Sequence, residues 1–368
     1  MVKVPKINAI VDGFKYNSQL VCPNYIFFLT HMHSDHYNGL TPTWNRGPIY
    51  CSSETAKLVK DLYPQVQGIT SLELDVKHWI TLDKNTNEGV NVTFIDANHC
   101  IGAVMILFQG DKCGNILYTG DFRFIPSMLN HESLLDSSGQ IINIDHLFLD
   151  NTFSDPEFIF PPQDICMQMV FNAIEENPES DVWIKNECFG KEKLYVELAE
   201  KFKTLIVICP KMYRRICLLN LSPEKFTTNE NEGYIRIVNT EQMRGLNERN
   251  KNQISTIGIW LTGWMKHLVK HSENGVTTYK IPYSGHSNSE ELKTFTRAIK
   301  AKNTTFTSSC ARKSKGNSEI VEETYSRKSD VYIPPTTPEI LPKRRIQNPY
   351  SSHLKKTKKP KVLGSKIQ

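Results

Sequence analysis

The chain has 368 residues, of which 39% are hydrophobic, and its 44 Lys and Arg against 39 Asp and Glu give a formal net charge of +5. This length favours roughly two domains; no apolar run approaches the ~18 residues of a membrane span, and the N-terminus resembles neither a signal nor a transit peptide. The nine cysteines are scattered without a C-x-x-C pair, which argues against a disulfide scaffold or a zinc ribbon and favours a reducing intracellular compartment.

The positive charge is concentrated at one end of the chain. From residue 343 onward nine residues are Lys or Arg and none is acidic, so residues 1–342 hold 35 basic against 39 acidic side chains. We therefore expect any nucleic-acid binding by the body to come from a local basic patch, with the tail adding sequence-independent attraction to phosphates. On composition alone, a solvated and disordered tail is the equal alternative.

The first part of the chain, residues 1–153, is rich in predicted strands. These strands cover residues 9–11, 25–29, 49–51, 90–95, 104–108, 116–118 and 147–149. Ser53 is predicted to cap a helix that runs from Glu54 to about Tyr63. Many strands with short connections and few helices favour a sheet-rich sandwich.

Strand and helix alternate in the next part, residues 154–270. Helices are predicted at 163–177, 191–202 and 214–219, and strands at 182–184, 205–208, 234–238 and 256–261. This alternation is typical of a parallel α/β unit, so we predict a second domain inserted into the first. The first domain returns over residues 271–312, with a strand at 279–281 and a helix at 289–300. Residues 313–368 are predicted to be a basic, disordered tail.

Four candidate metal ligands, His31, His33, Asp35 and His36, lie within six residues directly after the apolar run 25–29. Loops at strand ends are where rigid scaffolds present reactive side chains. Imidazole nitrogens and carboxylate oxygens are ligands for zinc and similar divalent ions. The H-x-H pair can bind one ion, while the adjacent Asp-His faces a second. The alternative is that these histidines are solvated loop residues. Four candidate ligands within six residues argue against that alternative.

Three later residues, His99, Asp121 and His286, also follow predicted strands. Taken singly, each is more often a turn former or a hydrogen-bonded structural residue. Together with the first loop they supply seven donors that one sheet edge can gather. Two metals ~3.5–4 Å apart need a set of this size, with one bridging carboxylate.

The order and spacing of these residues, preceded by Asp12 on the first strand, resemble the metallo-β-lactamase superfamily. The surrounding sequence narrows the resemblance to the β-CASP DNA nucleases, the DNA repair metallo-β-lactamases, and within them to the 5′ exonucleases. The segments that carry it are residues 28–40, 96–100, 117–123, 149–152, 190–192 and 281–287. The resemblance spans about residues 9–312. It implies an αββα metallo-β-lactamase sandwich with an inserted β-CASP α/β domain.

The resemblance also implies a ligand set for two ions. The first ion, zinc, would be held by His31, His33, His99 and Asp121. The second ion, for which zinc, magnesium and manganese are the candidates, would be held by Asp35, His36, His286 and the bridging Asp121.

Further roles follow from the same resemblance. Asp12 would orient the ligand loop from outside the ligand set. Asp150 stands where the β-CASP group has its first added acidic motif; a turn Asp at a strand end is the alternative. With Asp35, Asp121 and His286 it completes the predicted catalytic set, in which Asp35 is the candidate proton acceptor.

Two basic residues of the insertion are predicted to contact phosphate. Lys191 opens a helix, and helix N-termini with a Lys bind phosphates; a solvated Lys in a first turn is the alternative. Arg236 stands near a position where several relatives carry a His. Because Arg cannot donate a proton at neutral pH, its predicted role is electrostatic.

The function implied is that of a metal-dependent 5′-to-3′ DNA exonuclease, acting on single- or double-stranded ends in interstrand crosslink repair. A nuclear location is expected because residues 343–345 and 355–361 are compatible with import signals; no membrane association is expected. Repair or telomere proteins are conceivable partners, although the tail lacks the Tyr/Phe-x-Leu-x-Pro segment that such relatives use at telomeres.

Several other functions remain open at this point. One is an endonuclease on the same scaffold, acting on DNA hairpins or flaps or on RNA. Another is a small-molecule lactamase or thioester hydrolase, which would not need the insertion. The third is a non-enzymatic DNA-binding scaffold with a decayed site, which the complete ligand set disfavours.

Overall fold

A computed structural model describes residues 2–15, 25–83, 86–186, 189–251, 255–273 and 275–307. The predicted tail 313–368 and its import signals lie outside these ranges. Within them, no helix combines the length and the apolar character that a membrane crossing needs.

The described residues form three sheets and their covering helices. The strands are β1 (Val2–Lys3), β2 (Ala9–Val11), β3 (Ile26–Phe28), β4 (Ile49–Cys51), β5 (Ile69–Ser71), β6 (Lys77–Asp83), β7 (Glu88–Asp96), β8 (Val104–Gly110), β9 (Gly114–Tyr118), β10 (His146–Leu149), β11 (Asp181–Lys185), β12 (Ile206–Val207), β13 (Phe226–Thr227), β14 (Ile235–Val238), β15 (Thr256–Thr262), β16 (Val269–Glu273), β17 (Val276–Pro282) and β18 (Asn303–Phe306). The α-helices are α1 (Ser53–Leu62), α2 (Gln163–Glu175), α3 (Glu192–Phe202), α4 (Pro210–Leu219), α5 (Thr240–Arg244), α6 (Leu246–Lys251) and α7 (Ser289–Ile299).

Two of the sheets face each other as a sandwich. One has the strand order β1-β2-β3-β4-β5 and the other β18-β10-β9-β8-β7-β6. Their inner faces share one buried core, in which Phe28 of the first sheet meets Phe94 and Phe108 of the second edge to face, with ring centroids 6.3 and 5.0 Å apart. Helices cover the outer faces: α1 packs on the first sheet and α7 on the second. The predicted αββα sandwich is confirmed.

The start of α1 corrects one detail of the sequence analysis. Ser52 is the cap, because its backbone is extended (φ −66°, ψ 163°) and its side chain accepts a hydrogen bond from the Thr55 N–H. Ser53, predicted as the cap, is already the first helical residue.

The third sheet has the order β13-β12-β14-β11-β15-β17-β16 and is parallel except for the edge strand β16. Helices α2, α3 and α4 pack on it around a separate core. The sequence predicts that the first domain returns after residue 270. Strand β17 lies beyond that residue, but it pairs with β15 in the third sheet. The chain then returns to the sandwich, where β18 pairs with β10.

Candidate metal centre

The candidate ligands gather where strands of the sandwich end. The segment 31–36 follows β3, His99 follows β7 and Asp121 follows β9, while Asp12, predicted to orient the ligand loop from outside the ligand set, follows β2. His286 comes from the connection between β17 and α7. The structure therefore brings six of the seven predicted ligands, which are spread over more than 250 residues of sequence, into groups whose donor atoms lie within 4.8 Å of one another. The seventh, Asp35, is in none of these groups of described residues; its side chain is 78% exposed and approaches His36.

The first donor set consists of His31, His33, His99 and Asp121. His33 Nδ1 lies 3.0 Å from both His31 Nε2 and His99 Nε2. Asp121 Oδ2 lies 3.7 Å from each of the same two Nε2 atoms. Atoms bound to a tetrahedral zinc at ~2.0–2.1 Å would be roughly 3.3 Å apart, which fits the three histidine nitrogens. Asp121 does not join the group of donor atoms within 4.8 Å of one another that contains His33.

The second donor set shares one atom with the first. Asp121 Oδ2 lies 3.3 Å from His36 Nε2 and 3.9 Å from His286 Nε2. Asp35 Oδ2, on a side chain that is 78% exposed, lies 3.6 Å from His36 Nε2. A single carboxylate oxygen at the corner of two donor sets is the arrangement of a bridging ligand.

Each histidine uses its other ring nitrogen to bind the protein. His33 Nε2 donates to the Phe189 carbonyl at 2.7 Å and His99 Nδ1 to the Gly285 carbonyl at 2.8 Å. His31 Nδ1 lies 3.0 Å from the hydroxyl of Thr30. These partners fix the ring orientation and leave a lone pair facing the centre, as metal-ligating histidines require.

The remaining two histidines are held by buried carboxylates. Asp12 Oδ2 accepts from His36 Nδ1 at 2.8 Å, and Asp150 Oδ2 accepts from His286 Nδ1 at 2.7 Å. Asp12 has a left-handed backbone (φ +50°) and its Oδ1 accepts from the Thr30 N–H. These contacts place both aspartates directly behind the candidate ligands.

The electrostatics of the centre fit divalent cations. Burial lowers the pKa of His31 well below its usual value, lowers that of His33, and lowers that of His99 to about 3, so these rings are neutral ligands near pH 7. Burial also opposes charge on His36, but Asp12 and Asp121 outweigh it and raise its pKa to about 11. Buried carboxylates need compensating positive charge, and bound divalent ions would supply it.

Sequence reasoning missed several residues at this centre. Cys100 offers its sulfur within 4.8 Å of the ligand atoms of His31, His33 and His99, and its position next to His99 was the available signal. The carbonyls of Phe189 and Gly285 could not be found, because backbone atoms carry no sequence signature.

Arg123 was also missed. It is 2% exposed, donates to the Ser284 and Pro161 carbonyls at 3.1 and 3.2 Å, and pairs with Glu291 at 2.9 Å. Ser284 in turn accepts from the His286 N–H. Arg123 thereby anchors the segment that carries His286.

The two predicted phosphate contacts lie in different settings. Lys191 precedes α3, and its Nζ donates to Asn186 Oδ1 at 3.1 Å. The neighbouring Gly190 packs against the centre, since a Cβ on it would lie 3.0 Å from Cys100 Cβ. Arg236, on β14, donates to the Glu230 carboxylate at 2.7 Å.

Fold and site together define a class: a metallo-β-lactamase sandwich with a candidate two-metal centre and an inserted α/β domain. Residues 220–311 match the family model of the DNA repair metallo-beta-lactamases. These residues therefore carry a domain of this family, whose description implies the use of a divalent metal, and three groups of described side chains could hold one.

Individual relatives agree with this assignment. The chain is 42% identical to the 5′ exonuclease Apollo of Danio rerio over 276 residues, 74% of this chain and 46% of that protein. It is 39% identical to the 5′ exonuclease Apollo of Rattus norvegicus, over 75% of this chain and 49% of the relative. It is 34% identical to the human DNA cross-link repair 1A protein, over 81% of this chain and 29% of the relative. The chain thus spans about half the length, or less, of these curated relatives.

One solved structure supports the fold alone. A crystal structure of a protein of unknown function from Enterococcus faecalis V583 superposes with a TM-score of 0.54 at 16% identity, covering 77% of this chain and 75% of that one.

Proposed function

We propose that this protein is a metal-dependent 5′-to-3′ DNA exonuclease that hydrolyses phosphodiester bonds from 5′-phosphorylated ends in nuclear DNA repair. The observation that carries the proposal is the pair of donor sets that meet at Asp121 Oδ2, 3.3 Å from His36 Nε2 and 3.7 Å from His31 Nε2. The names of the relatives, 5′ exonuclease Apollo and DNA cross-link repair 1A protein, supply the substrate class and the reaction.

The donor set suits zinc in the first site, and zinc, magnesium or manganese in the second, more oxygen-rich site. When bound, such ions activate water as a nucleophile and neutralise the charge that develops on the phosphate. Asp35, the most exposed acid of the centre, is proposed to accept a proton during attack. Asp12 and Asp150 hold His36 and His286 in position, and Asp121 belongs to both donor sets.

The 5′ phosphate is proposed to bind beside the centre at Lys191. This residue follows the Phe189 carbonyl that holds His33, and it precedes a helix of 11 residues. Its ammonium group and the positive end of the helix dipole together favour a terminal phosphate. Arg236 remains a candidate for a second phosphate contact, although the Glu230 carboxylate compensates its charge.

An aromatic surface beside His286 suits the bases of a frayed DNA end. Trp264 is 63% exposed and is held edge to face by Phe153 and Phe158, with centroids 5.1 and 5.5 Å away. Phe153 in turn lies 5.9 Å from the His286 ring. Exposed aromatic side chains bind single strands by stacking on bases, at about 1–3 kcal/mol per base.

An RNA-processing endonuclease is the second candidate, since the same scaffold would cut either nucleic acid. Matched DNA and RNA strands carrying a 3′ label distinguish the two. We expect the protein with bound metal to shorten DNA from the 5′ end and to leave RNA intact; internal cuts in RNA would overturn the DNA assignment.

A non-enzymatic scaffold would bind DNA without cutting it. Metal analysis of the purified protein should give at least one ion per chain, and the variant His33→Ala should lose both the ion of the first site and all hydrolysis. Equal hydrolysis by this variant would mean that a contaminating nuclease is responsible.

A further inference from the structure

A cavity of about 480 Å³ opens in the inserted domain where strands β11, β12 and β14 end. Its lining includes Asn186 after β11, Cys209 after β12 and Asn239 after β14. The connections diverge here, because the neighbouring strands β12 and β14 lead in opposite directions along the sheet, β12 to β13 and β14 to β15. In open parallel sheets, ligands bind outside the carboxyl ends of the strands at such a point.

The charges that line the cavity are mostly positive. Lys211 and Arg215 of α4 and Arg244 of α5 face a single acid, Glu241. Within the part of the chain that the structure describes, Arg215 Nε is buried without a hydrogen-bond partner. A buried donor without an acceptor is unfavourable, and an acceptor within reach of the Arg215 side chain would relieve that cost. The next residue on the same helix, Arg214, is paired with Asp61.

The cavity adjoins the metal centre through one loop. Phe189, in the loop between β11 and α3, lines the cavity, and its carbonyl accepts a hydrogen bond from His33 Nε2 at 2.7 Å. Asn186, also in the lining, accepts from Lys191 Nζ at 3.1 Å. A phosphate at Lys191 would therefore lie between the metal centre and the cavity.

We propose that this cavity binds a nucleotide unit of the DNA strand, held through its phosphate by Lys211, Arg215 and Arg244. The inference rests on the proposed function for its substrate class. A volume of about 480 Å³ lies within the ~300–1,000 Å³ of small-molecule pockets and leaves room for a sugar and base beside the phosphate. The strand contact then extends past the terminal phosphate at Lys191 into the inserted domain.

Binding without cleavage tests this site. The affinity for a 3′-fluorescein single strand is measured by anisotropy in chelator over a series of salt concentrations, for the wild type, Arg215→Gln and Lys211→Gln. The control is Arg297→Gln, which removes an exposed cation of α7 far along the chain. We expect each cavity variant to bind about five-fold more weakly, and the slope of log K against log salt to shrink by about 0.7 for each lost phosphate contact.

The inference would be overturned if the cavity variants bound the strand with the same affinity and salt slope as Arg297→Gln. It would also be overturned if inorganic phosphate and a deoxynucleoside monophosphate competed equally well with the strand, because the cavity would then be a simple anion site. Stronger competition by the monophosphate, lost in Arg215→Gln, supports it. Arg215→Lys keeps the charge and should recover part of the affinity, which separates loss of contact from loss of folding. Hydrolysis of DNA by the protein with bound metal is assayed separately. That assay tests the proposed function independently of the outcome of the binding experiment.

Discussion

Each histidine of the candidate metal centre directs one ring nitrogen to the centre and hydrogen-bonds the protein through the other. Asp150 illustrates the effect of that hydrogen bond. Its Oδ2 accepts from His286 Nδ1, while its Oδ1 accepts from the N–H and the hydroxyl of Thr152. The residue is 1% exposed. It therefore joins the end of β10 to a ligand that comes 136 residues later.

Replacing Asp150 with Asn should weaken the second ion. The amide has one acceptor oxygen in place of two and no charge to support His286, and loss of such a partner typically costs 10–100-fold in metal affinity. Chelator-competition titration measures the effect. The control is Asp155→Asn, an exposed carboxylate that accepts from the Glu157 N–H in its turn. Equal ion affinity in both variants would refute the role of Asp150.

Replacing Lys191 with Ala should reduce the preference for 5′-phosphorylated over 5′-hydroxyl DNA by about ten-fold, because a charged hydrogen bond contributes roughly 1.5–3 kcal/mol. Competing the two substrates in one reaction measures this ratio directly. Lys193→Ala, two residues later on the exposed side of the same helix, is the matched control. An unchanged ratio in Lys191→Ala would exclude this residue from the 5′ pocket.

At the scale of elements, the segment before α7 depends on Arg123. This buried cation satisfies two carbonyls and the Glu291 carboxylate, and stacks on Phe160 at 4.9 Å from the ring centre. Glu291 also completes the capping box of α7 with Asn288. One side chain thus connects the helix start, the His286 segment and the strand end that carries Asp121.

Arg123→Met should lower the free energy of unfolding by roughly 2–4 kcal/mol, because it leaves carbonyls and a carboxylate without their donor. Urea denaturation measures the change, with Arg297→Met on the exposed face of α7 as the control. If the two variants unfold at the same denaturant concentration, Arg123 does not hold this segment.

The elements show how far sequence reasoning reaches. The strands at 9–11 and 49–51 were predicted with the bounds of the structure, and α2, α3 and α7 to within two residues, because their apolar patterns are strong. Six strands of the described chain were missed, β1, β5, β6, β13, β16 and β18. Strands β1 and β13 have only two residues each, and β16 and β18 are exposed along their length and formed by pairing with β17 and β10. Helix α4 begins at Pro210, four residues before the predicted start, because proline is favourable in a first helical turn.

For the site, the ligands were predictable from residue type and strand-end position, and the resemblance supplied their roles. The supporting contacts were not predictable, because they depend on how distant segments pack. His33 with the Phe189 carbonyl and His286 with Asp150 each join residues more than 130 positions apart. The ion pair that occupies Arg236 is another contact that only the folded chain reveals.

At the scale of the whole molecule, the metal centre joins the sandwich to the inserted domain. Ligands come from the sandwich and from the segment after β17, while Phe189 of the insertion supports His33. Because ions bind only where all these segments are in place, metal binding should stabilise the entire folded unit.

Removing the metal should therefore lower the thermal midpoint. A ligand present at 1,000 times its Kd contributes about 4 kcal/mol to stability, so the protein with zinc should unfold several degrees above the protein in chelator. In His33→Ala the zinc-dependent increase should be much smaller. A midpoint that zinc leaves unchanged in the wild type would contradict a centre assembled from both parts of the fold.

The proposed exonuclease activity is tested most directly by digestion of 3′-labelled single-stranded DNA that carries either a 5′ phosphate or a 5′ hydroxyl, with and without chelator. We expect stepwise shortening from the 5′ end, faster for the phosphorylated strand, abolished by chelator and restored by divalent metal. Metal-dependent cutting at internal positions that ignores the 5′ end, or no cutting by the protein with bound metal, would contradict it.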